Sequence, residues 1–271
     1  MSALRSRPFP VALTPEDLRF LRSVADDTED APWMTMNDAQ WRNATALYAS
    51  LSTYAQQHAV SWYPGGMLPL TYGVPGVAAR KQVAPDVFVA TVPLEGRSSL
   101  PVDEEGAPPF VLEVVSTSSV RRDLTEKTEI YRLLGVQEYA IVRLDVAAAR
   151  LEGYRQGTTG QWESWEPDAQ GRLWSAVLGL WLVLRAGEVR AMTATGELLR
   201  TLPEAEAERL AEAERRAQAE AERLAEAERR AQAEAERQAE AQARAEAEAE
   251  VARLRALLDR LTLGGGETPA P

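Results

Sequence analysis

The chain has 271 residues, 45% of them hydrophobic, which is enough for a sizeable core. Its net charge of −11 removes any global electrostatic pull on a polyanion, and the absence of cysteine excludes disulfides, thiolate metal centres and cysteine nucleophiles. The single histidine, His58, reads as a polar residue near a helix end; it excludes a multi-histidine metal site and argues against a Ser/His/Asp triad.

Residues 1–36 read as an N-terminal segment. Pro8, Pro10, Glu16 and Asp17 stand where a signal peptide needs an apolar stretch, so a cytoplasmic location is expected. From Asn37 to about Gln57, the residues Trp41, Ala44, Leu47, Tyr48, Leu51, Tyr54 and Ala55 recur at helical spacing and predict an amphipathic helix. Three strands are expected next, around Met67 to Tyr72, Val83 to Ala90 and Phe110 to Val115, separated by turns rich in Gly and Pro. A second helix should run from about Arg122 to Leu134 and stop at Gly135, with a fourth strand from Glu138 to Leu144. The stretches AARLEGYRQG, QWESWEP and LWSAVLGLWLVL predict a strand hairpin with a return strand; the last is too short to cross a bilayer. This order predicts an α/β (α+β) fold, a mixed central sheet flanked by helices, over residues 37–202.

Beyond Pro203 the composition changes. ERLAEAERRAQAEA occupies 208–221, repeats identically at 222–235 and returns as ERQAEAQARAEAEA at 236–249. Ala, Glu, Arg and Gln favour one long helix, from about Pro203 to Leu263. Its heptad seam is thin: the column of Leu210 and Leu224 is otherwise Ala and Gln, and the better knobs Val251, Leu254, Leu258 and Leu261 are offset from it. A solvated single helix laced with Glu/Arg pairs and a coiled coil are both open readings. GGGETPAP at the end reads as a disordered tail.

Three ionisable residues stand where the pattern asks for apolar ones. Asp86 precedes the strand Val87-Phe88-Val89, Glu113 shares a strand face with Val111 and Val115, and Lys127 shares a helical face with Leu124, Tyr131 and Leu134. Lys127 is also one of only two lysines, the other being Lys81. A buried carboxylate needs a cation or hydrogen-bond donors. A buried ion pair between Lys127 and Glu113 would satisfy that need. So would a hydrolytic centre, in which two carboxylates hold Mg²⁺ or Mn²⁺ and a lysine orients the attacking water or offsets transition-state charge. Arg80, Lys81, Arg121 and Arg122 flank these positions and could hold phosphates, although solvated surface arginines are common.

At these residues the sequence resembles a known family. Pro85-Asp86, then Glu113, Ser116, Asp123, Lys127 and Tyr131, within EEGAPPFVLEVVSTSSVRRDLTEKTEIYRLLGVQEYAIV, resemble the Uma-type restriction endonucleases, a bacterial group with the PD-(D/E)xK nuclease core. The resemblance extends more weakly from about Asn37 to Leu202. It implies a metal-dependent endonuclease acting on DNA. Asp86 and Glu113 would be metal ligands, the Val114 carbonyl a possible third, and Lys127 the lysine displaced from the E-x-K position, where Val115 stands. It places Asp123 and Tyr131 around the site, with Tyr131 expected mainly to pack. Many relatives carry a further acid near the start of the first helix; here Met34 aligns with it, and Asp30 and Asp38 are the nearby acids. A homo-oligomer, formed through the core or the C-terminal helix, is expected, with no membrane partner.

Overall fold

The computed structural model describes residue 9 and residues 12–25, 37–117, 120 and 122–263, with side chains through 260. Asp30, Met34, Arg121, Leu261's side chain and the 264–271 tail, on which several expectations fall, lie outside the described residues. The chain divides into two compact units, Met1–Ala205 and Glu206–Pro271.

The first unit is built on a six-stranded mixed sheet. In chain order its strands are β1 (Tyr63–Gly66), β4 (Val87–Ala90), β6 (Phe110–Val115), β7 (Glu138–Arg143), β8 (Arg150–Gln156) and β9 (Trp162–Ser164), and this is also their spatial order. Strands β6 and β7 run parallel and the other neighbours antiparallel. A second sheet joins β2 (Leu70–Tyr72), β3 (Lys81–Val83) and β5 (Leu100–Pro101), with a short helix α3 (Val102–Glu105) after it. A third is the antiparallel meander β10 (Leu173–Ser175), β11 (Leu180–Arg185) and β12 (Glu188–Met192). The expected mixed α/β fold is therefore present. The strand expected over Val83 to Ala90 divides, because Ala84, Pro85 and Asp86 carry the chain from one sheet to another. Proline has no N–H for a sheet ladder, so a break there follows from the sequence.

The two faces of the main sheet bury two apolar clusters. Helix α2 (Asp38–Gln57) and the meander cover the face that carries Val87, Val89, Phe110, Leu112 and Val114. Helices α1 (Pro15–Ser23) and α4 (Thr128–Leu134) contribute to the opposite cluster, which takes Phe88, Val111, Val115, Tyr139 and Ile141. Alternation along β6 puts Glu113 on the second face, beneath α4. Helix α2 opens with a reciprocal capping box between Asn37 and Gln40. Its inner face is Gln40, Asn43, Ala44, Leu47, Ser50 and Leu51; Trp41 and Tyr48, expected on that face, are 47% and 40% exposed. Three polar side chains are thus buried where two aromatics were expected.

The second expected helix begins differently. Residues Arg122–Lys127 form a π-helical turn before α4, and Gly135 closes α4 in the left-handed conformation at φ 87°. In the second unit, helix α5 (Leu202–Leu263) continues as one element, braced by i,i+4 pairs such as Glu226–Arg230 at 2.5 Å and Arg244–Glu248 at 3.0 Å. Nearly all of its described side chains there are exposed, Val251, Leu254, Leu257 and Leu258 included. Among the described residues no helix is long and apolar enough to cross a membrane.

Candidate active site

The break after β3 creates the site. Register pairs Val87 with Leu112, so its continuation sets Pro85 opposite Val114. Ladder bonds end there, and side chains take them over. Val114 N–H donates to Asp86 Oδ2 at 2.7 Å, and Val114 C=O accepts from Gln40 Nε2 at 2.8 Å. Asp86 is thereby tied to β6 at the residue next to Glu113.

Glu113 is 1% exposed and receives donors from the helix above it. Lys127 Nζ donates to Glu113 Oε1 at 3.0 Å and Tyr131 Oη donates to the same oxygen at 2.6 Å. Lys127 also pairs with Asp123 Oδ1 at 3.3 Å and donates to the Ala84 carbonyl at 3.2 Å. The π-helical turn is anchored by Asp123, whose carbonyl accepts from Thr128 Oγ1 and Tyr139 Oη. Asp86, Glu113 and Lys127 are thus brought together, with Asp123 and Tyr131 around them. Tyr131 is buried and packs its ring 5.1 Å from Tyr139, so it both packs and donates.

The electrostatics follow from burial. Burial pushes the Asp86 carboxyl up to about 6, against the opposing pull of Lys127, the Val114 N–H and a hydrogen bond with Glu113. Burial likewise holds Glu113 well above the usual carboxylate range; Lys127 opposes the shift and the charges of Asp86 and Asp123 add to it. Burial thus raises both carboxyl groups, while Glu113 Oε1 accepts from Lys127 and Tyr131. Two neighbouring carboxyl groups form an all-oxygen donor pair, whose hardness and charge suit a magnesium-type ion that retains several waters. Among the described residues no cluster of three Asp, Glu, His or Cys side chains is placed to hold a metal, so Val114 C=O and water would complete such a set.

A family model described as "Putative restriction endonuclease", Uma2, matches residues 32–193. The chain belongs to the Uma2 family. No curated protein matches it significantly. A solved structure titled as a "putative nuclease belonging to DUF820" from Anabaena variabilis matches at 17% identity and a TM-score of 0.37, covering 50% of this chain and 72% of that one.

In this Uma2 chain Val115, expected at the E-x-K position, is fully buried in the apolar cluster under α4, and Lys127 reaches Glu113 from the helical turn. Asp38 is not near the acids: it is exposed on the first turn of α2 and pairs with Arg42 at 3.1 Å. The α2 residue that reaches the site is Gln40. Gln40 is an amide where an acid was expected, and its helical register with Ala44, Leu47 and Leu51 is the signal that points it inward. Among the described residues, the flanking cations Arg80, Lys81 and Arg122 are engaged within the fold. Arg80 pairs with Asp103 and Glu104, Lys81 Nζ donates to the Val24 carbonyl, and Arg122 donates to the Ala25 carbonyl. Lys81 thus serves the C-terminal end of α1.

Proposed function

We propose that the chain is a cytoplasmic, metal-dependent endonuclease that hydrolyses phosphodiester bonds in DNA. The observation that carries this reading is the meeting of Asp86, Glu113 and Lys127, from a strand break, a central strand and a helical turn, at one buried point of a Uma2 chain. Asp86 and Glu113 would hold Mg²⁺ or Mn²⁺ together with the Val114 carbonyl. When bound, the ion supplies Lewis-acid polarisation of the phosphate and a more acidic water. Lys127, held beside Glu113, would orient the attacking water and offset charge that builds on the phosphate. Tyr131, like Lys127, donates to Glu113 Oε1, which leaves the second carboxylate oxygen for an ion.

The test is cleavage of supercoiled and linear DNA by purified protein with Mg²⁺ or Mn²⁺, beside Glu113→Gln and Lys127→Met. Metal-dependent nicking or cutting by wild type, lost in both variants, is expected. Intact DNA across varied substrates, or variants that cut as well as wild type, overturns the reading.

A second reading has its own observation. Arg80 and Arg122 are engaged by acids and carbonyls of the same fold, and α5 leaves Val251, Leu254 and Leu258 exposed at coiled-coil spacing. On that reading the fold is a catalytically inactive scaffold that acts through oligomerisation or partner binding by α5, without cutting DNA.

A further inference from the structure

We propose that Gln40 sets the affinity of the site for divalent cations. It does so by anchoring the Val114 carbonyl and by keeping the donor set at two carboxylates. The inference rests on the reading of Asp86, Glu113 and the Val114 carbonyl as the metal-holding group.

Both backbone polar atoms of Val114 lie where the ladder between β4 and β6 has run out, because proline at 85 offers no N–H. Asp86 satisfies one of them and Gln40 the other. Gln40 is 5% exposed and held at both ends of its amide: Oε1 accepts from the Asn37 N–H at 3.1 Å while Nε2 donates to Val114 at 2.8 Å. Such an amide has no freedom to swing away. It takes one lone pair of the Val114 carbonyl and leaves the other, so the carbonyl is oriented without being exhausted. It also brings no charge. A carboxylate at the same place would put an anionic oxygen against the carbonyl, which a nearby cation alone would make favourable.

Calorimetric titration with Mn²⁺ at pH 8, on full-length wild type, Gln40→Glu and Gln40→Met, tests this. Gln40→Glu keeps the acceptor for the Asn37 N–H and should bind about tenfold more tightly, since added ligand charge tightens such sites. Its melting temperature without metal should fall below that of wild type and recover with Mn²⁺. Gln40→Met preserves volume, removes the anchor and should bind more weakly than wild type. Wild type that binds Mn²⁺, with Gln40→Glu binding no tighter, overturns the inference alone. Absence of binding by wild type and Gln40→Glu alike sinks the metal reading and this inference with it. Should Gln40→Met fail to fold, Gln40→Glu decides the matter.

Discussion

Lys127 Nζ lies 3.0 Å from Glu113 Oε1, joining the end of a π-helical turn to the middle of a central strand. Both side chains are nearly closed to solvent, at 7% and 1% exposure. Removing one partner from such a pair leaves the other uncompensated, at a cost of about 3–5 kcal/mol when the remaining charge cannot relax. Glu113 can relax by keeping its proton, so Lys127→Met should cost about 2–4 kcal/mol at pH 8 and less at pH 5. Denaturant unfolding at the two pH values checks this. A cost that does not change with pH would show that Glu113 is not the group left behind.

Asp86 gives a second pH dependence. Its carboxyl is raised from 3.8 to about 6, so the folded protein holds the proton more tightly than the unfolded chain. Its contribution to stability is therefore fully present below about pH 4 and is lost as pH rises through about 6. The shift sets an upper limit of about 3 kcal/mol. Asp86→Asn should recover up to that amount at pH 7.5, gain nothing below pH 4 and abolish metal-dependent cleavage. Thermal unfolding across pH measures the first part, and equal stability of both proteins at pH 7.5 would contradict it.

Protons and metal compete for the same oxygens. With burial raising both Asp86 and Glu113, the apparent affinity for Mg²⁺ should increase from pH 5.5 to 7.5, by up to about tenfold per pH unit for each proton displaced. Titrations in buffers of different protonation enthalpy report both the affinity and the protons released. Binding without proton release would place the ion elsewhere.

Tyr131→Phe keeps the ring against Tyr139 and removes the donor to Glu113. The expected loss of stability is about 1 kcal/mol, with a smaller loss of cleavage than for Lys127→Met. A Tyr131→Phe protein as inactive as Lys127→Met would make the tyrosine a participant rather than a brace.

Much of this site is readable from residue pattern. Glu113 and Lys127 stood out because period 2 in a strand and period 3.6 in a helix aimed each at an apolar face, and both are buried there. Gly135 was legible as a helix stop for its backbone freedom. Gln40 was not, because helical periodicity marks only the large apolar residues of α2, whereas its inner face buries Gln40, Asn43 and Ser50, which donate to carbonyls, with Asn43 also accepting from the Val189 N–H. Trp41 was placed inward by its hydrophobicity, yet its position on the helix cylinder turns it outward. The split at Pro85 was legible in principle. The apolar residues on either side made Val83 to Ala90 look like one strand. The π-helical turn has no signature in composition.

The second unit is separable in its own terms. Deletion of residues 206–271 should leave the melting temperature of the first unit within a few degrees of the full chain, since that unit carries its own clusters. On the scaffold reading the solution mass falls to that of a monomer on deletion. Light scattering on both forms measures it, and a full-length monomer would remove α5 as an interface.

The central claim is that Asp86 and Glu113 share a divalent ion. Crystals grown with Mn²⁺, with data collected at its absorption edge, test it most directly. The account predicts an anomalous peak about 2.0–2.6 Å from a carboxylate oxygen of each residue, with the Val114 carbonyl facing it. A map with no peak between them, and the two carboxyl groups still hydrogen-bonded to each other, would contradict it.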